Sequence, residues 1–329
     1  MSESQQHVRL VSSAHTSVGQ VRENNEDNIH LWERAEFALA VVADGMGGAV
    51  AGEEASRIAV EAVETVLVNS EYANRESLET LSDEFIASKM QEAIHSANSN
   101  IVARTLEKPE MRGMGTTITL AFVRGTQGIV AHVGDSRAYL VEAHAQRITQ
   151  VTADHSFVEA LVAAGHLTQE QAEEHPMKNV LYRALGQSED IDVDVYEVHM
   201  HISDRLVLCS DGLTRHVKAP EIGEIALRNS NPDDAASALI DLANRRGGED
   251  NVSVIVVAID GEESDDDTAE LKNVLVLDDN DLLFTERQVD TVEVAIPNDD
   301  TPLNGYNPVM QNTDPARDSE GRDNLEPDQ

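Results

Sequence analysis

The sequence predicts an α+β fold in which two largely antiparallel β-sheets are covered by helices. Strands follow one another without an intervening helix over residues 116–150, which argues against regular strand-helix winding around a parallel sheet. Several short segments are apolar on both faces, as expected for strands that lie between two layers. Helical patterns with one apolar face accompany these segments, and they supply the outer layers.

Eight short segments rich in Val, Ile, Leu and Thr are predicted as strands: 8–13, 37–43, 116–123, 128–133, 137–141, 193–199, 205–209 and 252–259. One helix is predicted over 53–68, where apolar residues recur every three or four positions. A second is predicted over 85–101, and a third over 231–248, which opens with Asn-Pro and ends with Gly-Gly.

Residues 155–190 interrupt this pattern. They contain two short helical pieces, at 157–164 and 168–174, instead of a strand or a long helix. We therefore expect this segment to form an excursion from the sheets.

Charge divides the chain near residue 260. The net charge is −37, and residues 261–329 hold 20 acidic and 4 basic residues. We predict a folded domain over 1–260 and an acidic, largely disordered tail over 261–329, whose composition cannot offset its ordering entropy by burial. Apolar residues return within 273–296, which suggests docking on a partner or on the folded domain; the plainer interpretation is a solvated segment.

The composition also argues against several partners and compartments. So large a negative charge should repel nucleic acid and anionic membrane surfaces. No stretch approaches the length of a membrane span, and the first residues lack the basic and apolar parts of a signal peptide. A lone cysteine, Cys209, excludes internal disulfides, so we expect a cytoplasmic protein.

Acidic residues recur where predicted strands end or begin. Asp44 ends the apolar run 37–43 and opens a glycine-rich turn, while Asp135 and Asp211 follow two further strands and Asp250 precedes another. An isolated Asp-Gly is usually a turn, but four similar placements indicate a carboxylate cluster. Oxygen ligands suit Mg²⁺ or Mn²⁺, whereas zinc would require closely spaced Cys and His.

Such a cluster favours phosphate-ester hydrolysis. Two hard ions that share a carboxylate lower the pKa of a bridging water and neutralise charge on a phosphoryl oxygen. A separate segment adds Arg22, Glu26 and Asp27, and the arginine has the fork geometry that holds phosphate. Alone, such an arginine is more often part of a surface ion pair.

Taken in order, these motifs resemble those of bacterial metal-dependent Ser/Thr protein phosphatases of the protein phosphatase 2C family. The resemblance spans about residues 8–260. It is carried by Gly19 and Arg22 with Asn25-Glu26-Asp27, Val42 to Gly48, Gly115-Thr116-Thr117, His132 to Tyr139, Ser210-Asp211-Gly212-Leu213, and Asp250-Asn251. It implies a four-layer αββα sandwich, with the excursion as a flap beside the catalytic cleft.

The resemblance also implies the ligands of two core ions, Mn²⁺ or Mg²⁺. Asp44 would bridge both ions. Asp211 and Asp250 would hold the first ion, and Glu26 with the backbone carbonyl of Gly45 would hold the second.

Further roles are implied around this core. Asp27 would orient metal-bound water from the outer shell, and Arg22 would bind phosphate. In bacterial members, a third and weaker ion is held by the aspartates that match Asp135 and Asp211. The flap influences substrate choice and occupancy of that third position.

The proton donor is left open by the sequence. Eukaryotic members carry a histidine after the Asp-Gly pair, where this chain has Met46, and many bacterial relatives have a histidine where this chain has Ala49. Metal-bound water is the first choice of proton donor. His155, at the start of the flap, is the second candidate, although a histidine there is more often a hydrogen-bonded structural residue or simply exposed. Cys209 lies in an apolar strand pattern, which favours a small buried residue over a nucleophile.

Gly45 has a specific expected role. Without a side chain it can present its carbonyl to a metal ion, so replacement should impair metal binding more than folding. The predicted reaction is hydrolysis of phosphoserine and phosphothreonine by a metal-bridging hydroxide, reversing a bacterial Ser/Thr kinase. The alternatives are a phosphoprotein-binding module with poor turnover and a hydrolase of small phosphorylated molecules.

Overall fold

Two β-sheets form the centre of the computed structural model, which describes residues 8–34, 37–69 and 81–261 and the backbone of Thr285–Gln288. The described strands, in chain order, are β1 Arg9–Ser17, β2 Asp27–Glu33, β3 Phe37–Met46, β4 Gly115–Thr116, β5 Ile118–Arg124, β6 Gln127–Val133, β7 Arg137–Glu142, β8 Arg147–Gln150, β9 Asp194–His199, β10 Arg205–Cys209, β11 Val252–Asp260 and β12 Thr285–Gln288.

One sheet has the strand order β1-β11-β10-β7-β8-β12, and the other has the order β2-β3-β5-β6-β9, with the short β4 paired to β3. The described pairings are antiparallel except for that of β12 with β8, which is parallel. The prediction of two largely antiparallel sheets is confirmed.

Helices cover the outer face of each sheet. The described helices are α1 Ala49–Val63, continued by a π-helical turn Glu64–Val68, α2 Asp83–Glu107, followed by a 3-10 turn Pro109–Met111, α3 Phe157–Ala163, α4 Gln169–Glu173, α5 Asp211–Thr214, α6 Ala219–Arg228 and α7 Pro232–Arg245. Side chains of α1 and α2 share a core with β3, β5 and β6, and side chains of α6 and α7 share another with β10 and β11. The four-layer sandwich is therefore confirmed.

The central strands are apolar on both faces because each face meets a different layer. In β3, Leu39 and Val41 pack under the helices, whereas Ala40 and Val42 pack against the other sheet. The period of two along a strand assigns alternate residues to the two cores. Residues of β11 alternate in the same way, so side chains from both sheets form the core between them.

The predicted helices are present with shifted ends. The first was expected over 53–68 and begins earlier, at Ala49, directly after Gly47 and Gly48 with φ of 107° and 96°. These left-handed glycines let the chain reverse from β3 into α1. The third helix begins as predicted, with Asn231 as N-cap accepting a hydrogen bond from the Asp233 N–H at 3.1 Å.

The excursion contains the two expected short helices, α3 and α4. Its two ends are joined by a β-bridge between Ser156 and Leu181, and Leu185 bridges to Thr116 beside β4. Thus the segment leaves and rejoins the sandwich close to the end of β3. Within the described residues, no helix combines the length and apolar character needed to cross a bilayer.

Candidate active site

One rim of the sandwich collects acidic residues from both sheets. In one sheet the antiparallel register places Asp27, at the start of β2, opposite Asp44, near the end of β3. In the other sheet the end of β10 pairs with the start of β11, so Asp211 and Asp250 leave the same edge. The structure thus brings together carboxylates that lie more than 200 residues apart in the chain.

Asp44 lies at the centre of this group. Burial raises the pKa of the Asp44 carboxyl well above its usual value, and four neighbouring carboxylates raise it further: Asp27, Asp211, Asp135 and Asp250. Thr116 of β4 and the next residue, Thr117, hold the backbone of Asp44 in place by hydrogen bonds. Its N–H donates to Thr117 Oγ1 at 3.0 Å, and its carbonyl accepts from the Thr116 hydroxyl and the Thr117 N–H, each at 2.9 Å.

Asp27 is held between the two sheets by two serines. The hydroxyls of Ser210 and Ser253 donate to its Oδ2 atom at 2.8 Å and 2.7 Å. Its Oδ1 atom is buried and has no hydrogen-bond partner. Burial raises the pKa of Asp27 to about 7, because the two serine bonds offset only part of the desolvation and Asp211 and Asp250 add repulsion.

Glu26 approaches the rim through a gap left by a glycine of α1. A Cβ on Gly52 would lie 2.0 Å from Glu26 Oε2, so only glycine admits the carboxylate there. The Glu26 N–H donates to Asn251 Oδ1 at 2.8 Å, which ties β2 to the start of β11. Burial raises the pKa of Glu26, partly opposed by the positive charge of Arg22.

Gly45 is required by packing as well as by any role of its carbonyl. A Cβ at this position would lie 2.2 Å from the Gly52 carbonyl oxygen and 2.6 Å from that of Glu26. Both obstacles are backbone atoms, so a larger residue must displace α1 or β2. Replacement of Gly45 is therefore expected to impair folding as well as metal binding.

Arg22 lies at the mouth of the rim with 42% of its side chain exposed. Its guanidinium is 3.0 Å from the Asp250 carboxylate and 3.7 Å from Glu26 Oε1. It therefore stands beside the cluster, as the sequence predicted.

Arg215 is a second cation at the rim, and the sequence analysis missed it. It follows α5, one turn after Asp211, and its backbone N–H donates to the Asp211 carbonyl at 2.9 Å. Its Nε atom donates to Asp211 Oδ2 at 3.0 Å, its Nη2 atom contacts the same oxygen, and Nη1 is 3.3 Å from Asp250 Oδ2. The i, i+4 spacing from Asp211 was the available signal.

Asp135 lies in the turn between β6 and β7, after Gly134. Gly134 has φ of 119°, and a Cβ there would lie 2.5 Å from the Thr117 side chain, so glycine permits the turn. Burial raises the pKa of Asp135 to about 8, and repulsion from Asp211 adds to it. Asp135 is thus an electrostatic neighbour of both Asp44 and Asp211.

The donor atoms at this rim suit hard divalent cations. They are carboxylate and carbonyl oxygens, and two of them, Asp27 Oδ1 and Asp211 Oδ1, are buried with no hydrogen-bond partner. In the ranges that the structure describes, no three Asp, Glu, His or Cys side chains are already grouped closely enough to hold an ion. Asp211 has one oxygen paired with Arg215 and one without a partner, and Asp250 is paired with Arg22, so the residues fit in type and position but must draw closer together to coordinate an ion.

His155 is a structural residue at the base of the flap. Its ring is 1% exposed, and its Nδ1 atom accepts the Gly134 N–H at 3.0 Å. Nε2 therefore carries the proton and donates to Asp194 Oδ2 at 3.0 Å. Arg183 pairs with the other oxygen of Asp194 at 2.7 Å, closing the base of the flap. Both ring nitrogens are engaged within the fold, which supports the structural interpretation of His155 over a role as proton donor.

Cys209 and Met46 have ordinary surroundings. Cys209 is fully buried in β10, and burial raises the pKa of its thiol to about 12, which keeps it protonated. The interpretation of Cys209 as a small buried residue agrees with this geometry. Met46 pairs with Gly115 at the end of β3, and the Gln187 side chain at the end of the flap lies 3.9 Å from its sulfur.

Known proteins share both this sequence and this architecture. A family model described as Protein phosphatase 2C matches residues 13–253. The serine/threonine phosphatase stp of Listeria monocytogenes is 39% identical over 246 residues, which cover 74% of this chain and 94% of that protein. The chain belongs to the protein phosphatase 2C family. The resemblance drawn from its motifs is thereby confirmed.

Solved structures of protein phosphatase 2C members have the same fold. The serine/threonine phosphatase of S. agalactiae matches with a TM-score of 0.69 and 34% identity, covering 76% of this chain and 99% of that one. The catalytic domain of the phosphatase PstP, in complex with two manganese ions, matches with a TM-score of 0.65 and 34% identity, covering 77% and 99%. The two antiparallel sheets and their helical layers are therefore the family architecture.

Proposed function

We propose that this protein phosphatase hydrolyses phosphoserine and phosphothreonine in proteins and uses two divalent ions, Mn²⁺ or Mg²⁺, to do so. The observation that carries the proposal is the rim where carboxylates of both sheets converge around Asp44, with two buried carboxylate oxygens left without a partner. Family membership and identity to a named Ser/Thr phosphatase over almost its whole length support the substrate class. By these criteria the chain is a protein-serine/threonine phosphatase.

The residues that would hold the two ions follow from the family and fit the geometry. Asp44 is central and would be shared by both ions. Asp211 and Asp250, from the other sheet, would complete the first position, and Glu26 with the Gly45 carbonyl would complete the second. The close packing of Gly45 against Gly52 supports this assignment, because it holds that backbone beside the Glu26 carboxylate.

When bound, the two ions would lower the pKa of a shared water and offset charge on the phosphoryl oxygens. The remaining work belongs to side chains of this chain. Asp27, fixed by Ser210 and Ser253, has one buried oxygen free to orient a water molecule from outside the ligand set. A third ion would use Asp135 and Asp211, as in other bacterial members, but hydrolysis does not require it in this proposal.

Arg22 would bind the phosphate of the substrate. Its guanidinium is held at the mouth by Glu26 and Asp250 and remains partly exposed, so its outer N–H groups face incoming substrate. A planar guanidinium matches two oxygens of a phosphate at once. Without cations at the rim, the carboxylates would repel that phosphate, and this makes hydrolysis metal-dependent.

The test is a comparison of substrates and variants under controlled metal. With Mn²⁺, the full chain should hydrolyse phosphoserine and phosphothreonine peptides, and EDTA should reduce the rate to background. Asp44→Asn, Asp211→Ala and Asp250→Ala should each abolish hydrolysis and leave the unfolding transition cooperative. Asp241→Asn, an exposed carboxylate of α7, serves as the control for loss of one charge.

Three outcomes would contradict the proposal. Full activity of Asp211→Ala in metal-replete buffer would exclude the assigned site. Binding of phosphopeptide with no turnover at any Mn²⁺ concentration would indicate a binding module. Faster hydrolysis of phosphometabolites than of phosphopeptides would indicate a small-molecule phosphatase.

The cellular context is part of the same proposal. We place the catalytic domain within 1–260 and regard 261–329 as an appended acidic tail, in the cytoplasm and opposing a Ser/Thr kinase. The pairing of Thr285–Gln288 with β8 supports docking of the 273–296 segment on the catalytic domain; the rest of that segment lies outside the described residues. Phosphoproteomics after loss of the gene, compared with Asp44→Asn, would identify substrates that depend on catalysis.

A further inference from the structure

Arg215 meets the carboxylates at the same place where a third ion would bind. The two aspartates assigned to that ion are Asp135 and Asp211. The Arg215 guanidinium donates to Asp211 Oδ2 through two of its nitrogens. The side chain therefore occupies one oxygen of an aspartate that the third ion would need.

The local backbone keeps Arg215 in this position. The residue caps α5, and its N–H donates to the Asp211 carbonyl at 2.9 Å, so the side chain returns along one helical turn to the carboxylate. Only 29% of the Arg215 side chain is exposed. A guanidinium remains charged throughout the physiological pH range, so Arg215 is a fixed positive charge at this position.

Other arginines near the rim are directed elsewhere. Arg137 also lies close to Asp135 but forms a two-pronged pair with Asp154, with contacts of 2.7–3.1 Å, and bonds the Tyr139 hydroxyl. Arg22 contacts Glu26 and Asp250. Among the arginines that the structure describes, Arg215 is therefore the one whose guanidinium contacts Asp211.

Arg215 leaves room for a core ion on the same aspartate. Its nitrogens contact Oδ2 of Asp211, whereas Oδ1 is buried and has no hydrogen-bond partner. One oxygen can serve an ion while the other stays with the guanidinium. A second cation at Oδ2 would instead meet a fixed positive charge and be repelled.

The net charge of the rim also favours two divalent ions over three. Six carboxylates surround the site, and two guanidiniums contact them: Glu26, Asp27, Asp44, Asp135, Asp211 and Asp250, with Arg22 and Arg215. With all of these groups ionised, the net charge is −4, which two divalent ions neutralise. A third divalent ion would leave an excess of +2 in a partly buried site, which is unfavourable.

We propose that Arg215 supplies the positive charge at the Asp135–Asp211 position, so that this phosphatase binds two divalent ions and excludes the third. The inference rests on the proposed function, because it assumes that the core carboxylates bind two ions. Arg215 is a positioning residue: it holds Asp211 and Asp250 and occupies the third cation position.

The experiment counts Mn²⁺ ions bound to the full chain by equilibrium dialysis and calorimetry up to millimolar Mn²⁺. The wild type should bind two ions, and Asp135→Asn should leave that number unchanged. Arg215→Ala should gain a third, weaker ion, and adding Asp135→Asn to it should remove the gained site. Arg57→Ala, which removes an arginine paired with Glu54 and Glu61 on the outer face of α1, should bind two ions.

Two results would overturn the proposal. One is a wild type that binds three ions and loses one in Asp135→Asn, since the third position would then be open despite Arg215. The other is an Arg215→Ala variant that still binds only two ions; Arg215→Gln repeats this measurement if the alanine variant does not fold. A wild type that binds no Mn²⁺ would instead refute the proposed function, so the two failures are distinguishable.

Discussion

The substitution Asp27→Asn tests the electrostatics of the rim directly. Asp27 is 8% exposed, and burial raises its pKa to about 7 from the usual 3.8. Because the folded pKa lies above the unfolded one, the carboxyl stabilises the fold most below about pH 4, and this contribution is lost as pH rises to about 7. One pKa unit corresponds to about 1.4 kcal/mol, so ionising Asp27 without bound cations costs the fold roughly 4 kcal/mol.

Asparagine keeps an oxygen that accepts from Ser210 and Ser253 but cannot ionise. In EDTA, the variant should therefore be more stable than the wild type, and its advantage should grow by about 3 kcal/mol between about pH 5 and pH 8, because the unfolded wild type is ionised at Asp27 over this range while the folded wild type keeps the proton up to about pH 7. Urea unfolding at both pH values measures this difference. The exposed control Asp241→Asn should show no comparable growth.

The reasoning would be refuted by an advantage that is equal at the two pH values or smaller at the higher one. Either result would mean that Asp27 ionises in the fold at least as readily as in the unfolded chain. In excess Mn²⁺ the ranking should reverse, because the bound ions favour the ionised carboxylate of the wild type. The metal-dependent reversal separates charge repulsion from a simple packing effect of the amide.

Three further predictions concern packing, the flap and the tail. Gly45→Ala should lower the free energy of unfolding of the EDTA-treated protein by about 2–4 kcal/mol, because the new Cβ would meet the Gly52 carbonyl. The control Gly128→Ala should change the melting temperature little, because a Cβ there would have ordinary contacts of 3.5 Å or more. His155→Ala should lower the free energy of unfolding by about 2–4 kcal/mol and reduce kcat for an aryl phosphate less than tenfold. A decrease in kcat of about 10²-fold or more at unchanged stability would instead indicate that His155 is the proton donor. Truncation after residue 261 should leave kcat for the aryl phosphate unchanged, and weaker recovery of a phosphoprotein partner would locate docking in the tail.

The predicted elements were those with a strong apolar pattern. The central strand β3 is apolar at every position from Phe37 to Ala43 because both faces are buried, and that run was recognised. The edge strand β2 was missed, since its exposed positions include His30 and Glu33 and no apolar run marks it. Helix α6 was missed because Pro220 and Gly223 fall within ten residues, although its apolar face is buried.

The candidate site was predictable to the extent that its residues adjoin strand ends. Asp44, Asp211 and Asp250 each border a recognisable strand, and antiparallel pairing brings Asp211 and Asp250 to the edge of one sheet and Asp44 to the edge of the other; the packing of the two sheets then joins these edges into one rim. What sequence could not supply was the orientation of side chains, which depends on contacts between segments far apart in the chain. The arginine pairing of Asp211 and Asp250 and the packing of Gly45 against Gly52 are of this kind.

Arg215 shows why charge is harder to interpret than hydrophobicity. An arginine four residues after an aspartate on a helix is ordinarily a solvated ion pair of small energetic value. Here α5 begins at the rim, so the same spacing carries the guanidinium to Asp211 and on to Asp250, a residue from a different strand end. Because Arg22 also reaches Asp250, that carboxylate contacts two fixed cations. The number of ions that the rim accepts is therefore set by its arginines as much as by its aspartates.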